Sequence, residues 1–98
     1  MDGPVNGRLL ELRLRLTEAA GSYLEGQQAY LDATSRGLPT PAAALAATGP
    51  YRGALRELPD YLRTLPPGLD NDAQIARAEY LLAALERMKA AFAEAVEG

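Results

Sequence analysis

The sequence predicts an all-α fold: a three-helix, up-down-up bundle with a long first helix and a Pro-kinked, segmented middle helix, forming one domain over residues 1–98. Three observations carry this expectation. The apolar residues are mostly Leu and Ala, both strong helix formers, whereas Val and Ile, which favour strands, are nearly absent. Apolar stripes recur at helical spacing in three segments. The links between those segments, at Gly37-Leu38-Pro39 and from Pro66 to Asp72, are short, which favours antiparallel neighbours.

The first helix is expected over 4–36. Pro4 suits an early helical position, Asn6 is a candidate N-cap, and Gly37 followed by Pro39 closes the element. On a helical projection Val5, Leu9, Leu12, Leu16, Ala19, Ala20, Tyr23, Leu24, Tyr30 and Leu31 share one broad apolar sector. Glu11, Arg15, Glu18, Ser22 and Glu25 fall opposite. Glu11 with Arg15, and Asp32 with Arg36, are i,i+4 pairs in the favourable order. The run from Leu10 to Leu16 alternates apolar and charged residues as a strand would. Helix is preferred because Leu, Glu and Arg are helix formers and no second strand exists to pair with it. Leu10 and Leu14 then point toward the charged side.

The middle element is expected over 41–65. Thr40 reads as its N-cap and Pro41 as its first helical residue. It is broken near 49–50, at Gly49-Pro50. Beyond the break Tyr51, Leu55, Leu58, Leu62 and Leu65 make one stripe that passes in phase through Pro59, which predicts one helix kinked at 59. The third helix is expected over 72–96, opened by Asn71 and Gln74 in a capping-box pattern. Its stripe is Ile75, Ala78, Leu82, Leu85, Phe92 and Val96, widened by Leu81 and Met88. Lys89 is expected to snorkel at the rim. The first helix, about 45–50 Å long at roughly 1.5 Å per residue, outruns the broken middle one, and its uncovered part is a natural place for a partner chain.

Composition narrows the chemistry. A formal charge of −3 argues against a non-specific nucleic-acid binder, which needs a basic surface. With no His and no Cys, the commonest general base, the commonest metal ligand, disulfides, iron–sulfur ligation and a thiol nucleophile are all removed. Asp70 and Asp72 do not continue into a calcium-loop pattern and read as helix-terminal carboxylates. Glu79 and Glu86 lack the His partners of dinuclear-metal bundles. No catalytic residue, cofactor or metal is therefore expected, and the chain is not expected to be an enzyme. No apolar run approaches the roughly 18 residues of a membrane span, and the N-terminus lacks a secretory pattern. The cytoplasm is the expected compartment. Arg-over-Lys and Ala-rich usage points to a bacterial genome.

Three surface features remain. Leu10 and Leu14 are the candidate partner-binding residues, since two leucines at i,i+4 on a charged face can nucleate a helix–helix contact. Arg52, Arg56 and Arg63 form a candidate anion or acidic-partner face; a solvated face, with Asp60 pairing Arg56, is the preferred reading. Tyr23 and Tyr30 are expected at the core or its edge.

The stretch from Tyr23 to Pro39, with Gln27, Gln28, Ala29, Ala33, Gly37 and Pro39, resembles the middle of the YlbF/YmcA family of small helical bacterial proteins. The final segment from Ala76, with Ala78 before a Leu-rich run, is similar to that family's last helix. The resemblance implies a non-enzymatic regulator acting in a multi-protein complex tied to RNA processing. The family's cysteine-linked cluster binding does not carry over, because this chain has no Cys.

The expected function is a non-enzymatic helical protein–protein interaction module that oligomerises, as a homo-oligomer, or docks on a larger complex. The alternatives are an RNA-processing or nucleic-acid-associated regulatory subunit, and an assembly protein or chaperone of a phage or secretion apparatus. Neither nucleic acid nor membrane is the expected partner.

Overall fold

The computed structural model describes residues 3–97, with side chains described from 7 to 96. Its order is α1 (Gly3–Ser35), α2 (Ala42–Ala46), α3 (Thr48–Leu62) and α4 (Leu69–Glu97), and the described residues contain no strand. The all-α expectation holds, with α2 and α3 together forming the segmented middle element. The strand-like run from Leu10 to Leu16 lies wholly in α1.

Cross-helix contacts fix the directions. Arg15 reaches Glu57 at 2.6 Å and Tyr23 stacks on Tyr51 at 4.8 Å, so α1 ascends as α3 descends. Arg52–Glu86 at 2.6 Å and Arg63–Glu79 at 2.7 Å make α3 and α4 antiparallel. Arg13–Gln74 at 2.9 Å and Tyr30–Phe92 at 5.0 Å make α1 and α4 parallel. The result is an up-down-up rod with extents of 54 × 20 × 16 Å.

The core has two parts. Leu12, Leu58 and Leu62 form one, with Leu9, Leu65 and Ile75 packed around them. The larger part gathers Ala19, Tyr23, Ala44, Tyr51, Leu55, Leu85 and Phe92 from all four helices. Phe92 is fully buried and meets both Tyr23 and Tyr30. Such ring pairs add about 0.5–1.5 kcal/mol beyond the area they bury. Burial pushes the Tyr23 phenol up, and the neighbouring Tyr51 adds to the shift. Burial also raises Tyr51, partly opposed by the Arg77 charge.

Several helix ends differ from expectation. α1 begins by Gly3, so Asn6 lies inside the helix rather than at its cap, and Pro4 occupies an early position as expected. The break in the middle element falls at Ala47, not at Gly49-Pro50. The pyrrolidine ring of a proline conflicts with the carbonyl four residues earlier, and for Pro50 that carbonyl belongs to Ala46, the last residue of α2. Pro50 itself sits in the first turn of α3, where its missing N–H costs no helical bond. The Thr48 hydroxyl spans the junction by donating to the Leu45 carbonyl at 2.6 Å. α3 continues through buried Pro59 and ends at Leu62, short of the expected Leu65. α4 starts at Leu69, so Asn71 is no cap; its amide donates to the Pro66 carbonyl at 3.3 Å, and Gln74 accepts from Arg13 instead of closing a box. Asp70 and Asp72 lie in the first turn of α4, favourable toward the helix dipole.

Thr40 also departs from its expected role. α2 has no side-chain cap, and Pro41 holds the cap position. The Thr40 amide donates to the Ala95 carbonyl at 3.1 Å, which draws the residue inward. Its hydroxyl is then buried with no partner among the described residues.

Two glycines have specific tasks. Gly37, at φ +70°, ends α1. The Leu38 amide returns to Ala33 at 2.8 Å and the Gly37 amide to Thr34 at 3.2 Å, which together make a Schellman closure. Gly26 is buried where α2 crosses α1, and a Cβ there would lie 2.9 Å from the Ala44 Cα.

Three outcomes follow in denaturation experiments. Gly26→Ala gains about 1 kcal/mol of helix propensity but overpacks against backbone, which costs about 1–3 kcal/mol; a lower denaturation midpoint is expected, whereas Gly21→Ala, facing open space, raises it. Thr40→Val removes the orphaned hydroxyl and gains about 1 kcal/mol. Because Tyr23 and Tyr51 are raised above the ordinary value of 10.0, the folded state holds their protons where the unfolded chain releases them. Their contribution is therefore intact at neutral pH and is lost as pH rises past 10. Alkaline urea titrations of Tyr23→Phe and Tyr51→Phe should show a shallower decline than those of the parent chain.

Candidate interaction face on the first helix

α1 is covered on one side only. It lies against α3 and α2, with α4 meeting it sparsely. The buried positions Leu12, Ala19, Tyr23, Gly26 and Ala33 therefore form a narrow sector. Leu24 and Leu31, placed in the core sector by the broad projection, are instead 59% and 53% exposed. The cause is angular: Leu24 follows inward-facing Tyr23 by one residue, about 100° around the helix, and no other described helix closes over it. The Val5 side chain lies outside the described residues.

Leu10 and Leu14, at 59% and 54% exposure, point outward as expected. With Leu24 and Leu31 they belong to one exposed row: Leu10, Leu14, Thr17, Gly21, Leu24, Gln28, Leu31 and Ser35, at alternate spacings of four and three. That is the seam spacing of a coiled coil. Beside it runs a second exposed row at seven-residue spacing, Glu11, Glu18, Glu25 and Asp32, every member acidic. Glu11 is held by Arg8 at 2.7 Å and Arg15 at 2.9 Å, and Asp32 by Arg36 at 3.3 Å. Glu18 and Glu25 have no ion pair or hydrogen bond among the described residues.

On its α4 side the leucine row borders an open groove. Two depressions of about 300 and 470 Å³ adjoin there, sharing Leu16, Thr17, Arg77 and Leu81, with Tyr51, Leu55 and Leu58 beneath. The apolar surface thus runs from the groove up to Leu24.

The arginine face is arranged differently from its reading in the sequence. Arg52 is paired with Glu86, and Arg63 with both Glu79 and Asp60. Asp60 therefore serves Arg63, not Arg56, in keeping with the weaker helical pairing when the cation comes first. Arg56 has no ion pair among the described residues. Lys89 is exposed at the rim as expected. Asp70 and Asp72 join no cluster of three acidic side chains among the described residues, and no described helix is long and apolar enough to cross a membrane.

The signal for the leucine row was available in the sequence: the alternating four-and-three spacing continues from Leu10 to Ser35, but its polar members Thr17, Gly21 and Gln28 conceal it. No protein-family model matches the chain, and no curated protein and no solved structure was found to be similar to it.

Proposed function

We propose that this chain is a non-enzymatic helical interaction module that engages another protein chain through the outer face of α1, either by self-association or by docking on a larger assembly. The observation that carries this reading is the alignment of four half-exposed leucines on a single face directly opposite the core. Scattered surface leucines need no explanation, but four aligned at seam positions on one face are what a partner helix packs against. The lack of His and Cys supports a binding role over a catalytic one. The resemblance of Gln27 to Pro39 to the YlbF/YmcA family agrees with a regulator that works inside a protein complex. A nucleic-acid face on Arg52, Arg56 and Arg63 has less support, because Glu86, Asp60 and Glu79 already neutralise two of its three cations.

A photo-crosslinking amino acid placed at Leu14 tests the reading in the native host. A covalent adduct of defined mass is expected there and not from the same group at Glu94 on α4. Leu10→Glu with Leu24→Glu should abolish the adduct while the far-UV circular dichroism stays unchanged. Equal adducts from both positions, or none at Leu14, would overturn the assignment.

A further inference from the structure

Building on that reading, we infer that the occupant of the α1 face is a basic amphipathic helix of a different protein rather than a second copy of this chain. The argument is charge complementarity. In paired helices the residues flanking the apolar seam decide partner and orientation. Here one flank is the acidic row, and its two central members, Glu18 and Glu25, are left without an internal cation. The other flank carries Arg13, Ala20, Gln27 and Thr34, of which Arg13 is already bonded to Gln74.

A second copy fits this face poorly in both directions. Antiparallel packing would set the acidic row against itself, and like charges facing across helices are destabilising. Parallel packing removes that repulsion but sets Gly21, Gln28 and Ser35 against their own equivalents, which empties three of the four layers on one side of the seam. The cations on α3 offer no complementary row either, since Arg52 and Arg63 are engaged within the chain and Arg56 alone makes no row. A foreign helix with large apolar residues opposite Gly21 and Gln28, and Lys or Arg opposite Glu18 and Glu25, meets both demands. The open groove beside Leu24 gives its larger side chains room.

The test uses two fluorescent synthetic three-heptad peptides. Both carry Leu at the seam positions; one has Lys and the other Glu at both flanks. Anisotropy titration of the full chain should show the Lys peptide binding at least about tenfold tighter. Glu18→Lys with Glu25→Lys should reverse the preference. Leu14→Ala with Leu24→Ala should weaken the Lys peptide about tenfold while helical content is retained. Equal affinities for the two peptides, no binding of the Lys peptide, or binding indifferent to the leucine substitutions would each overturn the inference. Sedimentation of the chain alone separates the two claims. A stable dimer that the leucine substitutions dissociate overturns the basic-helix partner yet leaves the α1 face as an interaction surface. A monomer that also forms no adduct from residue 14 defeats both.

Discussion

The contact between Tyr23, Tyr51 and Phe92 is the joint on which the molecule depends. Tyr23 comes from α1, Tyr51 from α3 and Phe92 from α4, so a single cluster holds all three long helices in rotation as well as position. In a chain with one Phe and no Trp, few side chains are large enough to span that distance. Fixing Tyr23 inward also fixes everything else around α1. Its successor Leu24 must then face outward, Leu31 follows seven residues later, and Leu10 and Leu14 continue the row below. The exposed face is thus a geometric consequence of the core, set by the same residue.

The middle element owes its shape to proline. The ring of Pro50 conflicts with the Ala46 carbonyl, the helix is interrupted at Ala47, and the five-residue α2 packs on α1. The crossing is close enough that Gly26 and Ala44 touch at backbone distance. Because α2 and α3 cover one flank of α1 and α4 meets it only sparsely, the opposite flank stays open.

The helices, their number and their directions were legible because they rest on local rules: Leu and Ala content, stripe spacing, and Gly37 as a terminator. Exact ends were less so. The break at Ala47 lies three residues before the proline that causes it, and the start of α4 at Leu69 overrides the capping pattern of Asn71 and Gln74 because both side chains find other partners. The candidate face was half legible. Leu10 and Leu14 stood out by sitting among charges, whereas Leu24 and Leu31 were absorbed into a sector drawn too wide. A projection records angle but not how many neighbours surround a helix, and a three-helix bundle covers each helix less fully than a larger one. The ion pairs that neutralise Arg52 and Arg63 join residues 34 and 16 apart, a separation that no local pattern reveals.

The composition of the outer row carries a further meaning. A seam built for permanent pairing would fill its layers with Leu, Ile or Val throughout. This one alternates leucine with Thr17, Gly21, Gln28 and Ser35, so it offers anchor points separated by low or polar positions. Such a surface supplies only part of the apolar contact and leaves the remainder to the partner's side chains and to charge. In the proposed complex the acidic row acts as a selector. Exposed ion pairs contribute at most about 1 kcal/mol each, too little to hold a complex alone, but two unpaired carboxylates beside a half-filled seam suffice to distinguish one helix from another. Selectivity by charge over a modest apolar anchor fits reversible docking better than permanent assembly, and it makes the strength of the contact dependent on salt.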